Sequence, residues 1–330
     1  MLAVRKFQHT YFIFILVFFV TSCIPPVQGP PPDPRSFDQP DTDLYDLGES
    51  LPYFEDFMYA LEKTHLTYLM EEEGPYTVFA PVQASFSIFR IDNMINHLDE
   101  FPEDKLAEIL RYHFIYGKWN LADMPPGYHA TLLQERTTGN PIDLYIEKKD
   151  IFRINGLNTI DEPDLATVNG YIQSIKTILK IPFMIDHLSY NKEFSLILEI
   201  LERDDLDPVL LDHFRKGDPV TFLAPTDNAI ISFLGAHPQW QTVQDIPSDS
   251  LNDILKNHLV INHNIVLNNI KKDSPLTTEY GQEFTIHIDY PQWSILGGSK
   301  KLANLSIRDI QAANGIIHQI DRVLIPERTN

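Results

Sequence analysis

The chain closes on Asn314-Gly315-Ile316-Ile317-His318-Gln319-Ile320-Asp321-Arg322-Val323-Leu324-Ile325-Pro326. A turn dipeptide, an aliphatic run and a terminating proline describe one strand and its exit. The pattern occurs earlier, opening on Asn169-Gly170-Tyr171-Ile172 and ending at Pro182. Moving outward, Thr221-Phe222-Leu223-Ala224-Pro225 answers Thr77-Val78-Phe79-Ala80-Pro81, and Ile254-Leu255-Lys256-Asn257-His258 answers Ile109-Leu110-Arg111-Tyr112-His113. Three blocks in one order at an offset of about 145 residues mean a duplicated domain, because solenoid units are far shorter. A length of 330 residues agrees with two domains.

Each unit starts with helical spacing, at Phe54, Phe57, Met58 and Leu61 and again at Phe194, Ile197, Leu198 and Leu201. A short apolar strand follows, Tyr76 to Ala80 in the first copy, stopped by Pro81. A second amphipathic helix carries Leu106, Ile109, Leu110 and His113, echoed by Leu251, Ile254, Leu255 and His258. Ile142, Leu144 and Ile146 alternate with Asp143, Tyr145 and Glu147, as Phe284, Ile286 and Ile288 do with Thr285, His287 and Asp289. That period of two predicts strands with one buried and one solvated face. Asn155-Gly156 and Gly297-Gly298 are turn signals. Gly170 and Gly315 are expected to supply a positive backbone angle before the last strand. This mixture of helices and hairpins indicates an α+β fold. The boundary falls near Pro182 to Tyr190, so the two units are expected to touch.

Arg5 and Lys6 precede an apolar run from Tyr11 to Val20, followed by Thr21, Ser22 and Cys23. This reads as a cleavable leader, too short for the roughly 20 residues of a membrane span. Val20-Thr21-Ser22-Cys23 resembles the bacterial lipobox, and Cys23 is the single cysteine of the chain. The expected organisation is a lipoprotein signal peptide over 1–22, then lipidated Cys23 with a proline-rich tether over 23–43. Domain 1 covers 44–184 and domain 2 covers 185–330. Acyl chains would hold the protein to a bacterial membrane outside the cytoplasm. The outer membrane is the expected one, with the periplasmic or surface face left open.

One cysteine excludes an internal disulfide and any multi-cysteine zinc site. A formal net charge of −20 repels phosphate backbones, so no nucleic-acid partner is expected. Neither a Gly-x-Ser-x-Gly elbow nor a phosphate loop is present, and no cofactor, metal or enzymatic activity is expected.

The repeated blocks resemble the fasciclin-like domain family. Thr221 to Ala229 is similar to its first signature, and Thr77 to Phe86 more loosely so. Tyr112-His113 and Asn257-His258 match its middle signature, and Asn314 to Pro326 its closing one. The first copy diverges, with Val82 and Gln83 where the second has Thr226 and Asp227. Gln173, Ser174 and Lys176 likewise replace His318, Gln319 and Asp321. The resemblance implies two tandem domains, each a β-sandwich or wedge flanked by helices. It also implies cell adhesion, matrix association or surface-molecule binding. The leading reading is a module that binds a protein or glycan partner, with the contact around Thr226 and Asp227 or at the junction between the domains.

His113 and His258 are read as helix braces bonded to backbone, and His318 as an inward brace or part of an exposed face. Asn169, Gly170, Asn314 and Gly315 are read as structural motif residues. His258 and His263 lack the further ligands of a metal site. Asp204, Asp205 and Asp207, and Asp245, Asp249 and Asp253, are read as solvated faces because no glycine completes a calcium loop. Lys216-Gly217-Asp218 is read as a turn. Trp119, Trp240 and Trp293 carry the alternative of a glycan-binding accessory protein in nutrient uptake. A pure spacer is the remaining alternative.

Overall fold

The computed structural model describes residues 40–71, 74–157, 159–217, 219–270, 275–289, 291–297 and 301–327. The leader, Cys23 and nearly all of the tether lie outside the described residues, as do Asp218 and Gly298.

The first copy opens with α1 (Leu44–Ser50), whose first turn is capped by the Asp43 carboxylate accepting from Asp46 N at 2.8 Å. A short 3-10 turn carrying Phe54 leads into α2 (Glu55–Lys63), which buries Phe57, Met58, Ala60 and Leu61. Then come α3 (Tyr68–Glu71), β1 (Tyr76–Pro81), α4 (Gln83–Asp92), α5 (Glu103–Tyr112) and β2 (Phe114–Tyr116). The remaining strands are β3 (Gly127–Gln134), β4 (Pro141–Lys148), β5 (Phe152–Ile154), β6 (Leu165–Ala166) and β7 (Gly170–Ile175). Asn155 and Gly156 both take positive φ, at 51° and 76°, in the turn after β5.

The second copy runs α6 (Met184–Tyr190), α7 (Ser195–Leu201), α8 (Pro208–Arg215), β8 (Val220–Pro225), α9 (Asp227–Gly235), α10 (Ser248–Lys256) and β9 (Leu259–Ile261). It ends with β10 (Pro275–Thr277), β11 (Glu283–Asp289), β12 (Gln292–Leu296), β13 (Leu302–Ala312) and β14 (Gly315–Ile320). The fold is α+β.

In each copy the first strand lies between a parallel partner, the last strand, and an antiparallel one. β1 pairs with β7 and β2, and β8 with β14 and β9. Being central, it is buried on both faces, which is why Thr77 to Pro81 reads as a continuous apolar run. Val78 and Ala80 face a helical core with Phe57, Leu61, Leu106 and Phe114. Phe79 faces a second core with Tyr112, Leu144, Ile146 and Ile175. The second copy repeats this division, with Phe222 and Ala224 in one core and Leu223 in the other.

The two copies join the leaves of their wedge differently. The strand orders are β5-β4-β3-β2-β1-β7-β6 and β10-β11-β12-β13-β14-β8-β9. In the first copy the leaves meet where Ile115 on β2 opposes Thr131 on β3. In the second, the 11-residue β13 serves both leaves and shifts register between Leu305 and Ile310.

The alternating pattern of β4 predicts one solvated face, and the structure corrects this. Asp143 and Glu147 are buried along with the aliphatic residues between them. The second copy covers Asp143 through β13, and Lys192 reaches Glu147 to within 3.8 Å. The counterpart β11 has no such cover and keeps Glu283 and Asp289 exposed.

Candidate functional site

The shared motif residues form a matched set of internal braces. His113 ends α5, where its Nδ1 lies 2.7 Å from the Ile109 carbonyl oxygen. Its Nε2 accepts from Leu179 N at 2.9 Å. His258 repeats this on α10, with Ile254 O at 2.7 Å and Leu324 N at 3.0 Å. Each ring therefore ties a helix end to the segment leaving the last strand, in the tautomer with the proton on Nδ1. Burial drives both rings down to about 4, so they are neutral at pH 7.

Asn169 Oδ1 accepts from Leu44 N at 2.9 Å, and its Nδ2 donates to Met70 O at 2.9 Å. Asn314 does the same with Met184 N at 2.8 Å and His213 O at 3.0 Å. The asparagine thus clamps the first and third helices of its copy. The adjoining glycine serves close approach more than backbone angle, which revises the sequence expectation. A Cβ at Gly170 would lie 2.1 Å from Tyr76 O, and one at Gly315 2.1 Å from Val220 O. Only Gly315 has a positive φ, at 150°.

A further brace was missed in the sequence. Asp309 and Asp164 both have φ of 59°, and each accepts a 2.8 Å bond through Oδ1, from Leu267 N and Leu121 N respectively. Asp309 N donates to His318 Nδ1 at 3.1 Å, and His318 Nε2 donates to Ile265 O at 2.9 Å. Gln173 reproduces the pair: Oε1 accepts from Asp164 N at 2.9 Å, and Nε2 donates to Trp119 O at 3.2 Å. The amide and the imidazole present one acceptor and one donor at the same places, so this divergence leaves the bonding intact. The available signal was an aspartate five residues before Asn-Gly in both copies.

The divergent start of the following helix is less equivalent. Thr226 Oγ1 accepts from Ala229 N at 3.2 Å and caps α9, whereas Val82 provides no side-chain cap to α4. Asp227 Oδ1 accepts from Leu196 N at 2.8 Å, holding the start of α7. Both side chains are engaged in holding helix ends.

Between the copies lies a buried polar seam centred on Gln311. Its backbone nitrogen donates to Asp143 Oδ2 at 2.8 Å, and its carbonyl oxygen lies 3.2 Å from His187 Nε2. Its Oε1 accepts from Asn264 Nδ2 at 3.2 Å. Asn264 Nδ2 also lies 3.0 Å from Glu135 Oε2. Burial pushes the Glu135 carboxyl up, but bonds from the backbone and hydroxyls of Thr137 and Thr138 outweigh it and leave it below its ordinary value. Asp143 has fewer partners. Burial raises it to about 7, opposed by the Gln311 N–H and reinforced by the charge of Asp309. Burial takes His187 down to about 4, and its ring meets Tyr128 of the first copy edge-on at 5.6 Å.

The other candidates are dispersed. His263 Nδ1 lies 2.9 Å from Ile261 O, apart from the bonds of His258. Asp205 pairs with Arg203 at 2.7 Å, Asp207 caps α8, and Asp245 accepts from Thr242 N. Asp249 stands in the first turn of α10. Among the described residues no group of three or more His, Cys, Asp or Glu side chains is placed to hold a metal ion. The three tryptophans are partly buried. Trp119 Nε1 donates to Tyr116 O at 3.3 Å, Trp240 stacks on His237 at 5.2 Å, and Arg308 lies 4.5 Å above Trp293.

The family model for the fasciclin domain matches residues 52–182 and again 192–326. The chain belongs to the fasciclin domain family. It is 23% identical over 228 residues to Stabilin-2 of Rattus norvegicus, covering 64% of this chain and 15% of that protein. It is 23% identical over 287 residues to Fasciclin-1 of Drosophila melanogaster, covering 76% of this chain and 40% of that one. The chain thus spans less than half the length of either relative. A solved FAS1 domain pair from the insect cell adhesion molecule fasciclin I superposes with a TM-score of 0.47 at 17% identity, covering 85% of this chain and 98% of that one. Fasciclin domains serve adhesion or binding and are generally extracellular. Among the described residues no helix is long and apolar enough to cross a membrane.

Proposed function

We propose that this chain is a lipid-anchored, extracytoplasmic tandem-fasciclin module that binds a protein or glycan partner at the cell envelope and catalyses no reaction. The observation that carries this reading is the internal use of the shared motif side chains. His113, His258, Asn169, Asn314 and the His318 and Gln173 pair hold helices and strands together. Recognition is then left to the outer surface. Lipidation at Cys23 and the proline-rich tether would hold the two domains away from a bacterial membrane, the outer one by this reading. The proposed partner contact is the face around Thr226 and Asp227. Since both side chains hold helix ends, exposed neighbours such as Asn228 and Ile231 would make the contacts.

The test is capture from envelope extract on the immobilised full chain, compared with Ile231→Arg. A saturable partner that binds the parent and is lost with Ile231→Arg supports the assignment. Turnover of a defined substrate by the folded chain would overturn the non-catalytic reading. Fatty-acid labelling that persists in Cys23→Ala would overturn the anchor.

A further inference from the structure

A groove of about 400 Å³ lies on the first copy between α4 and residues 176–181, which leave β7. Ile88, Phe89, Ile109, Ile178, Leu179 and Ile181 form its apolar lining. Ser85 also lines it, and its hydroxyl is buried with no hydrogen-bond partner. Three charged residues border the groove: Asp92, Lys176 and Lys180. Lys176 Nζ lies 3.2 Å from Asp161, and Lys180 Nζ 3.2 Å from Asp186. An ammonium carries three donors, so one carboxylate leaves each lysine able to bind a second anion. Past the groove, the apolar surface of α4 continues onto Ile91, 75% exposed, and Met94, 92% exposed.

The second copy differs from the first in the polar residues that border this space. Phe233, Ile254 and Val323 stand where the first copy has Phe89, Ile109 and Ile178, so part of the apolar lining is shared. Ala229 replaces Ser85, while Asp321 and Ile325 replace Lys176 and Lys180. The buried hydroxyl and the two ammonium groups therefore occur together in the first copy. Small-molecule sites have this character: a few hundred Å³, an apolar lining and a few polar groups that set orientation. Apolar walls suit hydrocarbon, and the N–H donors that Lys176 and Lys180 keep beyond their carboxylate partners suit an anionic head.

We propose that this groove binds an amphiphile with an unbranched hydrocarbon chain and an anionic head. The chain lies against Ile88, Phe89, Ile109 and Ile178, and the head sits at Lys176 and Lys180. A free fatty acid and an anionic membrane lipid share this chemistry.

The test titrates decanoate into the full chain carrying Cys23→Ser, so that its own acylation does not compete, and reads displacement of a fluorescent polyene fatty acid. A parallel arm measures cosedimentation with phosphatidylglycerol vesicles. Saturable decanoate binding, weakened at least about tenfold by Ile88→Glu and by the Lys176→Glu, Lys180→Glu pair, is expected. Ile88 is 57% exposed, so its replacement leaves the core untouched. Binding of decanoate assigns the site to free acids, and binding of vesicles alone, with the same sensitivity to Ile88→Glu, assigns it to lipid. No saturable binding in either arm, or binding unchanged in Ile88→Glu, overturns the proposal.

Discussion

The carboxylate of Asp143 in the first copy accepts a 2.8 Å hydrogen bond from the backbone nitrogen of Gln311 in the second. Both residues are buried, and among the described residues no cation pairs with Asp143. A charge held this way is a burden on the fold, whereas the acceptor oxygen is an asset. Asp143→Asn retains an acceptor without the charge and is expected to stabilise the protein at pH 8 by about 1–3 kcal/mol. Asp143→Ala strands the Gln311 N–H and is expected to destabilise it by about 1–3 kcal/mol. Urea midpoints of the two variants separate these effects; equal destabilisation by both would refute the assignment.

Stability against pH offers a second check. The pKa of Asp143 is raised on folding to about 7, so its contribution is full below pH 4 and lost as pH rises to 7. His113, His187 and His258 are depressed to about 4, so their contribution is full above pH 6.5 and lost as pH falls to 4. Three histidines outweigh one aspartate, and net destabilisation on acidification from pH 6.5 to 4 is expected. Asp143→Asn removes the opposing slope, so its melting temperature should fall more steeply than the parent's over that interval.

The glycines preceding the last strands predict a contrast. Gly170→Ala and Gly315→Ala each place a Cβ 2.1 Å from a carbonyl oxygen of the paired strand. Each should cost about 3 kcal/mol or more, or prevent folding. Gly235→Ala, at the end of α9, meets nothing within 4 Å and should change stability by less than about 1 kcal/mol. Thermal melts of the three variants decide the point.

The bonding match between Gln173 and His318 predicts that the residues are exchangeable. His318→Gln should cost less than about 1.5 kcal/mol, because both bonds can be remade. His318→Leu leaves Asp309 N and Ile265 O unpaired and should cost about 2–4 kcal/mol. Similar losses in the two variants would show that packing, rather than bonding, decides this position.

The duplication and the α+β class were legible because buried positions such as Val78 to Ala80 and Phe222 to Ala224 carry apolar residues in both copies, and both last strands open on Asn-Gly. The helical faces of α2, α5, α7 and α10 were legible for the same reason, through Leu61, Leu106, Ile197 and Leu251. The seam was not legible. Whether Asp143 meets solvent depends on Gln311, 168 residues away, and no local periodicity carries that information. Asp164 and Asp309 were visible as a repeated spacing, but their meaning lies in a left-handed backbone and a distant amide. The Asn-Gly pairs were recognised, although the decisive factor at Gly170 is a neighbouring carbonyl and not the turn.

The seam also bears on how such a chain can be passed on or rearranged. A domain recombines freely when its surface is complete without its neighbour, and the first copy does not meet that condition. Cut away from β13, it would expose Asp143 and leave Glu135 without the amide of Asn264. The second copy would in turn lose Asp143 from Gln311 and Tyr128 from His187. For heredity, the transferable module is therefore the doublet, and a gene fusion that splits it near Pro182 inherits two damaged halves.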